Sequence, residues 1–287
     1  MFEGFESLTI DTGEAQIFVR YGGSGPPLLL LHGHPQTHVM WHKLAPRLMR
    51  DFTVVTPDLR GYGDSSKPPT TPNHEPYSKR AVARDHIAVM QHFGFEHFYV
   101  AGHDRGAYGA YRLALDHPQC VDRLAILDII PAGEAWRRAN HRFMLAWWHW
   151  AFLAQPAPLA ENLLTPNPEA YYFRRNRNIF APEALAAYLR AVHDPDTIHA
   201  MCEDYRANAT YDFELDEADR LAGRKIQCPV LVLWAIQDDL EKLYGDPLAI
   251  WREWAHDVQG SGLNSGHYLA EEAPEETYEA LHAFFTA

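Results

Sequence analysis

Few cysteines and a shortage of positive charge are the first features of this sequence of 287 residues. The three cysteines, Cys120, Cys202 and Cys228, are scattered, so we expect neither a disulfide framework nor a zinc site. Lysine and arginine number 25 against 38 aspartates and glutamates, which gives a formal net charge of −13. Because cationic side chains supply most of the affinity for nucleic acids and for anionic membrane surfaces, this balance argues against both partners.

Long hydrophobic runs are missing as well. No stretch reaches the roughly 18 apolar residues that span a bilayer, and residues 1–10 lack the features of a secretion signal. Because scattered cysteines suit a reducing compartment, these absences predict a cytoplasmic protein. The sequence is nevertheless rich in core-forming residues, since 47% are hydrophobic and 13% are aromatic. A sizeable buried core is therefore expected, and global disorder is excluded.

Short apolar runs alternate with helical patterns along much of the chain. Residues 6–10 and 15–20 are typical of an antiparallel edge pair joined by a turn at Thr12 and Gly13. Five uniformly apolar runs are typical of strands covered on both faces. They are residues 27–31, 52–55, 97–101, 124–130 and 229–234. Because helical patterns lie between these runs, we predict an α/β fold with a mostly parallel, doubly wound sheet.

The alternation stops between residues 132 and 225, where helical patterns and proline-rich loops replace it. The clearest helical patterns are at residues 136–155, 182–193 and 196–209. We therefore predict a core formed by residues 1–131 and 226–287, with residues 132–225 inserted as a helical cap domain. Extra helices packed on one face of the sheet are the alternative. We interpret the basic run at residues 174–177 as cap surface with no assigned role.

The motif most informative about chemistry is Gly102–Gly106, which reads GHDRG. It follows a predicted strand and opens a predicted helix, the context of a nucleophile elbow written G-x-nucleophile-x-G. Asp104 occupies the nucleophile position. A carboxylate is ionised at neutral pH, so it needs no base, and its attack on a saturated carbon forms an ester. The alternative is a structural role for Asp104 as a helix N-cap.

Two further segments fit the same kind of site. His34 follows a predicted strand in the sequence HGHP, where such folds place an oxyanion donor, so the backbone N–H groups of His34 and Arg105 are the expected pair. His267 lies in a glycine-containing loop before the last predicted helix, the position of a general base. A structural loop histidine is the alternative for His267.

The acid that orients this histidine has two candidates. Asp128 ends an apolar run, where a carboxylate is costly without a partner. Asp238 lies in a polar loop just after another apolar run, where a solvated aspartate needs no explanation. Either could orient the imidazole, and we favour Asp128.

These motifs, together with the runs HGHPQTHVMWHKLAP and DLRGYGDSSKP and the pair His149-Trp150, resemble the fluoroacetate (haloacetate) dehalogenases of the α/β-hydrolase superfamily. The resemblance covers nearly the whole chain and implies an α/β-hydrolase core with a helical cap. It places the acid about 24 residues after the nucleophile, at Asp128. It also implies a halide site formed by His149, Trp150 and Tyr205.

For the substrate carboxylate, the resemblance implies two arginines. Arg105 matches the first, whereas Tyr108 stands where the family has the second. Arg105 could bind a carboxylate in bidentate fashion, and a salt bridge to a core or cap acid is its alternative role. Directional N–H and O–H donors are what a strongly hydrated fluoride needs in order to leave. Core packing of the aromatic segment is the alternative for His149 and Trp150, and Tyr211 competes with Tyr205 for the tyrosine role.

The expected activity is hydrolysis of short 2-halocarboxylates to 2-hydroxy acids through an aspartyl ester, with no metal or organic cofactor. Epoxide hydrolysis with the same aspartate and histidine is the main alternative. A haloalkane dehalogenase and a catalytically retired hydrolase fold are weaker alternatives. We expect a small halo acid as the partner and a homodimer as the default assembly.

Overall fold

The computed structural model of the chain describes residues 1–174 and 177–287. Two members of the basic run, residues 175 and 176, lie outside the described residues. In the described part, one mixed sheet has eight strands in the order β1-β2-β4-β3-β5-β6-β7-β8. The strands are β1 (Glu6–Asp11), β2 (Gln16–Gly22), β3 (Pro27–Leu31), β4 (Thr53–Pro57), β5 (Phe98–His103), β6 (Val121–Leu127), β7 (Val230–Ala235) and β8 (Val258–Leu263).

Helices cover the sheet and fill the long segment between β6 and β7. In residues 1–174 and 177–287, short helical turns add to the α-helices at His38–Trp41, Glu75–Tyr77, Arg177–Ile179 and Asn208–Asp212. The α-helices are α1 (Ala45–Leu48), α2 (Lys79–His92), α3 (Arg105–Asp116), α4 (Ala132–Arg137), α5 (His141–Ala146), α6 (Trp148–Leu153), α7 (Leu159–Leu164), α8 (Pro168–Tyr172), α9 (Pro182–Val192), α10 (Pro195–Ala207), α11 (Phe213–Ala222), α12 (Leu240–Tyr244), α13 (Pro247–Trp254), α14 (Leu269–Glu272) and α15 (Pro274–Thr286).

The predicted fold class is confirmed. Within the described residues, the β1–β2 and β2–β4 pairs are antiparallel and the other strand pairs are parallel. The chain between β6 and β7 contains helices α4 to α11, which form the helical insert. The exact division into a core and a cap at residues 132 and 225 stays a prediction. No helix in the described part combines the length and apolar character needed to cross a membrane.

The strand register brings the carboxyl ends of three central strands to one edge of the sheet. His103 pairs with Leu127 between β5 and β6, and Leu127 pairs with Leu233 between β6 and β7. The three strands are fully apolar where they cross the core, as expected for a sheet covered on both faces. Residues that directly follow these strands are therefore neighbours at that edge.

Two expectations about the limits of elements need correction, and one strand was not predicted. The apolar run 124–130 stops being a strand at Leu127, because Asp128 takes a positive φ of 58° that leaves the strand conformation. The helical pattern 136–155 is divided into α4, α5 and α6, and the Asn140 side chain caps α5 by accepting the Arg142 N–H. Strand β8 was not predicted from the sequence, because its two glycines interrupt the apolar pattern of a strand. Gly260 is required there, since a Cβ would lie 1.8 Å from Val232 O.

A buried ion pair attaches the insert to the core. Arg112 of α3 donates to Asp219 of α11 at 2.6 Å and to Asp116 at 2.9 Å, and all three side chains are largely buried. Burying charges is costly, so a pair of this kind is stable only while both partners remain.

Replacing Asp219 with alanine should therefore destabilise the fold by about 3 kcal/mol, the lower end for breaking a buried pair, because Asp116 still partners Arg112. Glu217 on the same helix forms a more exposed pair with Arg220 at 2.7 Å and provides the matched control. Glu217→Ala should change stability by less than about 1 kcal/mol. Urea unfolding of both variants measures the difference, and equal losses would contradict this account of the insert.

Candidate active site

Asp104 lies at the tight turn between β5 and α3. Its backbone has φ 47° and ψ −118°, a conformation that non-glycine residues rarely adopt. A Cβ on Gly102 would lie 2.6 Å from Gly106 O, and a Cβ on Gly106 would lie 2.4 Å from His32 O. Both glycines are therefore needed for the close approach of the backbone. The Asp104 side chain makes no capping hydrogen bond to α3, so the N-cap alternative finds no support.

The Asp104 carboxylate meets one predicted oxyanion donor and the predicted base. Its Oδ1 accepts the His34 backbone N–H at 2.8 Å, and its Oδ2 lies 3.8 Å from His267 Nε2. Burial alone would raise the pKa of Asp104, but the charges of His267 and Arg105 and the His34 hydrogen bond lower it to about 2. Asp104 is thus held as an anion.

His267 lies in the loop between β8 and α14, opposite two carboxylates. Its Nδ1 hydrogen-bonds to Asp128 Oδ2 at 2.7 Å and lies 3.5 Å from Asp238 Oδ2. Asp128 is fixed by its other oxygen, which accepts the Ala235 N–H at 2.9 Å. The histidine hydrogen bond thus goes to the favoured candidate acid, while the other candidate is close by.

The charge of His267 depends on these acids. Burial alone would lower the pKa of His267, but the Asp128 hydrogen bond and charge, followed by the charges of Asp104 and Asp238, raise it from 6.5 to about 10. The free protein at neutral pH therefore holds an imidazolium among three carboxylates. Because the folded-state pKa is raised, this charge stabilises the fold below about pH 6.5, and the contribution is lost as the pH rises through about 10.

A cavity of about 490 Å³ opens beside these groups. All three predicted halide-site residues line it, as do Tyr108 and His34. Arg174, which the sequence pattern placed on the cap surface without a role, lines the same cavity. The ring centre of Tyr205 lies 5.8 Å from that of His149 and 6.4 Å from that of Trp150, so the three donors form one cluster. The competing tyrosine, Tyr211, is not among the described residues that line the cavity.

Neutral donors dominate this cluster. Burial lowers the pKa of His149 to about 4 and that of His34 to about 3, so both imidazoles are uncharged at neutral pH. Burial raises the pKa of Tyr205 well above its usual value, so its hydroxyl keeps the proton. A neutral histidine, an indole and a phenol each offer one N–H or O–H to a guest in the cavity.

Arg105 lies behind the cavity in a buried ion pair. Its Nε donates to Asp204 Oδ2 at 2.9 Å, and its Nη2 donates to Asp204 Oδ1 at 2.6 Å and to the Asp204 backbone oxygen at 3.0 Å. Lys79 binds the same carboxylate, and the Tyr62 hydroxyl donates to it at 3.0 Å. The salt bridge weighed as the alternative role of Arg105 is thus present. Only Nη1 of Arg105 has no hydrogen-bond partner among the described residues.

The tyrosines on either side connect Arg105 to the cavity. The guanidinium carbon lies 4.4 Å from the ring centre of Tyr205 and 5.2 Å from that of Tyr108. Both rings line the cavity, whereas Arg105 itself does not. A bidentate grip on a substrate is not available to Nε and Nη2, because Asp204 already occupies them.

Comparison with known proteins agrees with this geometry. The family model for the alpha/beta hydrolase fold matches residues 26–270. The chain belongs to the alpha/beta hydrolase family. A fluoroacetate dehalogenase of Burkholderia sp is 42% identical over 293 aligned residues, covering 100% of this chain and 95% of the relative. The resemblance expected from the motifs is therefore confirmed, and the chain is a haloacetate dehalogenase-like α/β hydrolase.

Two other relatives of this hydrolase bear on its chemistry. A soluble epoxide hydrolase of Corynebacterium sp. (strain C12) is 33% identical, with 92% of this chain and 91% of the relative covered. A crystal structure of a protein from Nostoc sp PCC 7120 is 53% identical with a TM-score of 0.97, covering 100% of this chain and 99% of that one. Relatives of both hydrolase types thus align along nearly the full chain.

The acid–base cluster of this α/β hydrolase also has the donor types of a metal site. One ligand atom each from Asp128, Asp238 and His267 lie within 4.8 Å of one another. A metal requires a neutral imidazole, however, and the raised pKa of His267 favours the protonated form. Its Nδ1 is also engaged by Asp128. The cluster suits proton transfer better than metal binding.

Asp204 is the residue that sequence reasoning missed. It lies directly before Tyr205 on α10, and its carboxylate is paired with two core cations. No motif distinguishes it from its neighbour Glu203, which is also buried and pairs with Arg206 at 2.8 Å. The partners of Asp204 come from distant parts of the sequence, so only the folded arrangement identifies it.

Removing the charge of Asp104 should lower the pKa of His267. In Asp104→Asn, we expect a decrease of about one unit or more, because an opposite charge within a few ångströms stabilises the imidazolium. NMR titration of the histidine ring signals measures it without any substrate. His282, paired with Asp51 at the surface at 3.0 Å, is an internal control whose ring signals should be the same in the variant and in the unchanged protein. An unchanged His267 pKa would show that the two groups are not coupled.

Proposed function

We propose that this hydrolase converts short 2-halocarboxylates to 2-hydroxy acids through an ester on Asp104. The observation that carries the proposal is an anionic Asp104 at a strained turn, facing a cavity with the donors of His149, Trp150 and Tyr205. The 42% identity to a fluoroacetate dehalogenase supports the same assignment. No step of the proposed reaction needs a metal or an organic cofactor.

In the first step, an Asp104 oxygen attacks the carbon that bears the halogen. A carbon–oxygen bond forms, the carbon–halogen bond breaks, and the electron pair leaves with the halide, which inverts the carbon centre. Fluoride is small and strongly hydrated, so it leaves only where directional donors replace its water. We assign His149, Trp150 and Tyr205 to this role because their donors form one cluster on the cavity wall.

For the substrate carboxylate, we assign the remaining nitrogen of Arg105 and the hydroxyl of Tyr108. Nη1 of Arg105 is buried without a partner in the described part of the chain, and an unpaired buried donor favours an anionic acceptor. Tyr108 lines the cavity, and burial keeps its pKa well above the usual value, so it can donate one hydrogen bond. This grip is weaker than that of two arginines, which admits larger or less charged substrates.

In the second step, water hydrolyses the ester. Esterification removes the negative charge of Asp104, one of the charges that raise the pKa of His267. The pKa of His267 therefore falls when the intermediate forms, which favours release of its Nε2 proton to solvent and leaves Nε2 able to act as a base. Nε2 then takes a proton from water, and the resulting hydroxide attacks the Asp104 carbonyl carbon. The backbone N–H groups of His34 and Arg105 stabilise the oxyanion. The ester C–O bond then breaks, and the leaving oxygen takes the proton from His267, which gives the 2-hydroxy acid and restores the Asp104 carboxylate.

Epoxide hydrolysis is the second candidate. It is favoured by the full-length relative named as a soluble epoxide hydrolase, and by the ion pair that occupies most of Arg105. An epoxide has no carboxylate to bind, and its oxygen needs a proton from a donor such as Tyr205 or His149 when the ring opens. Trp150 has no part in that reaction. Its indole N–H is therefore the group that separates the two candidates.

Replacing His267 with glutamine should stop the reaction at the ester. Incubation of His267→Gln with chloroacetate should increase the protein mass by one carboxymethyl group, located by peptide mass spectrometry on Asp104. The double variant Asp104→Asn/His267→Gln should remain unmodified. The proposal fails if the single variant shows no adduct with any halo acid that the unchanged protein consumes.

Replacing Trp150 with phenylalanine should discriminate between leaving groups. We expect the unchanged protein to release halide from fluoroacetate and chloroacetate, and we expect Trp150→Phe to lose about a hundredfold in fluoride release, since one directional donor is worth about that factor. Chloride release should fall less than tenfold, because chloride needs less stabilisation. Ion-selective measurement of both halides gives the ratio.

Trp148 provides the matched control, because it also lines the cavity but is half exposed. Trp148→Phe should leave the ratio of fluoride to chloride release unchanged. Styrene oxide is included in the same assay, with the diol as its product. Diol formation without halide release, unaffected by Trp150→Phe, would favour the epoxide hydrolase over the dehalogenase.

A further inference from the structure

The loop after β7 brings a second acid to His267. Asp238 Oδ2 lies 3.5 Å from Nδ1, on the same side of the ring as Asp128. The two loops are joined, since the Gln237 backbone N–H donates to Ser265 O at 3.1 Å and the Gln237 side chain donates to Asn264 Oδ1 at 2.9 Å. These two hydrogen bonds of Gln237 therefore hold the backbone of the neighbouring Asp238 close to His267.

Asp128 and Asp238 differ in how firmly they are held. Asp128 is almost fully buried, and both of its oxygens are engaged, one by Ala235 and one by His267. The Asp238 side chain is 31% exposed, and a shift of under about 1 Å would bring its oxygen to hydrogen-bond distance from Nδ1. The first acid is thus fixed and the second is adjustable.

We propose that Asp238 is a second positioning residue for His267, which shares with Asp128 the stabilisation of the imidazolium charge and can accept the Nδ1–H hydrogen bond when Asp128 cannot. This inference rests on the proposed function, in which His267 is the base that activates water. During that step Nε2 gains the water proton while Nδ1 keeps its own. Two carboxylates beside Nδ1 then face one full positive charge, which they stabilise more than one carboxylate does.

The other groups that face His267 do not duplicate this role. Asp104 lies on the Nε2 side at 3.8 Å and loses its charge in the ester. The His103 ring centre is 4.6 Å away, and burial lowers the pKa of His103 to about 3, so it is neutral. Tyr268 lies 5.3 Å away between ring centres, and burial raises its pKa above the usual value, so it is neutral as well. His149 is also uncharged.

A double-mutant cycle tests the inference. Asp238→Asn alone should slow ester hydrolysis in a single turnover by less than tenfold, because Asp128 still orients His267. In the Asp128→Asn background, the same change should slow it by at least a further tenfold beyond that factor, because no acid then remains beside Nδ1. The inference is overturned if Asp238→Asn has the same effect in both backgrounds.

Asp239 provides the matched control, since it carries the same charge at the next position and pairs with Lys242 at 3.4 Å. Asp239→Asn should have the same small effect in both backgrounds. Circular dichroism of Asp128→Asn establishes that the variant is folded. If Asp239→Asn depended on the Asp128→Asn background as strongly as Asp238→Asn does, any negative charge in this loop would have the same effect. That result would also overturn the inference.

NMR titration gives a second readout that needs no turnover. Asp238→Asn should lower the pKa of His267, and consequently the acid limb of ester hydrolysis should move to lower pH, whereas Asp239→Asn should move neither. If this shift occurs while neither halo acids nor epoxides react, the proposed function fails and the pairing of Asp238 with His267 stands. If substrates react but the pKa does not move, the inference about Asp238 fails alone.

Discussion

The structure depends on the close approach of backbone at the turn that carries Asp104. Two glycines permit the turn, because a side chain at either position would overlap backbone atoms of neighbouring segments. The turn forces a residue with a side chain into a sparsely populated conformation, and such strain persists only when the surrounding fold enforces it. The strand register then assembles the site, because it brings the carboxyl ends of β5, β6 and β7 to one edge of the sheet, where the acids and the histidine meet.

Charge at this edge is arranged against the overall field of the protein. The chain has a surplus of acids, and three of them surround His267, yet the site is proposed to receive an anion. The structure reconciles these facts by local compensation. His267 is protonated and offsets part of the charge of these acids, while the imidazoles of His34 and His149 are neutral and donate without adding charge. Arg105, the cation that we assign to the substrate, lies behind two tyrosine rings and is already paired.

Sequence patterns were sufficient for the fold class and for the family, because both depend on local features. Uniform apolar runs identify buried strands, and the GHDRG motif identifies a tight turn by its glycines. The ends of strands and helices were less predictable. The apolar pattern of β6 continues to residue 130, but the positive φ at Asp128 ends the strand at Leu127. Strand β8 has glycine where its neighbour's backbone approaches, so its composition conceals it. The pairing of Arg105 with Asp204 joins helices about a hundred positions apart, and no local signal records such a partner.

Asp204 and Tyr205 are neighbours on α10, and this arrangement affects how small molecules can enter the cavity. One residue anchors the helix to buried cations of the core, and the next places its hydroxyl on the wall of the chamber. Swinging this helix away would separate buried opposite charges, which costs several kcal/mol. Helix α10 is therefore held in place beside the cavity by these ion pairs. By contrast, Leu145 of α5 and Trp148 of α6 line the same cavity and are exposed to solvent, and this part of the wall lacks such a charge pair among the described contacts of the two side chains.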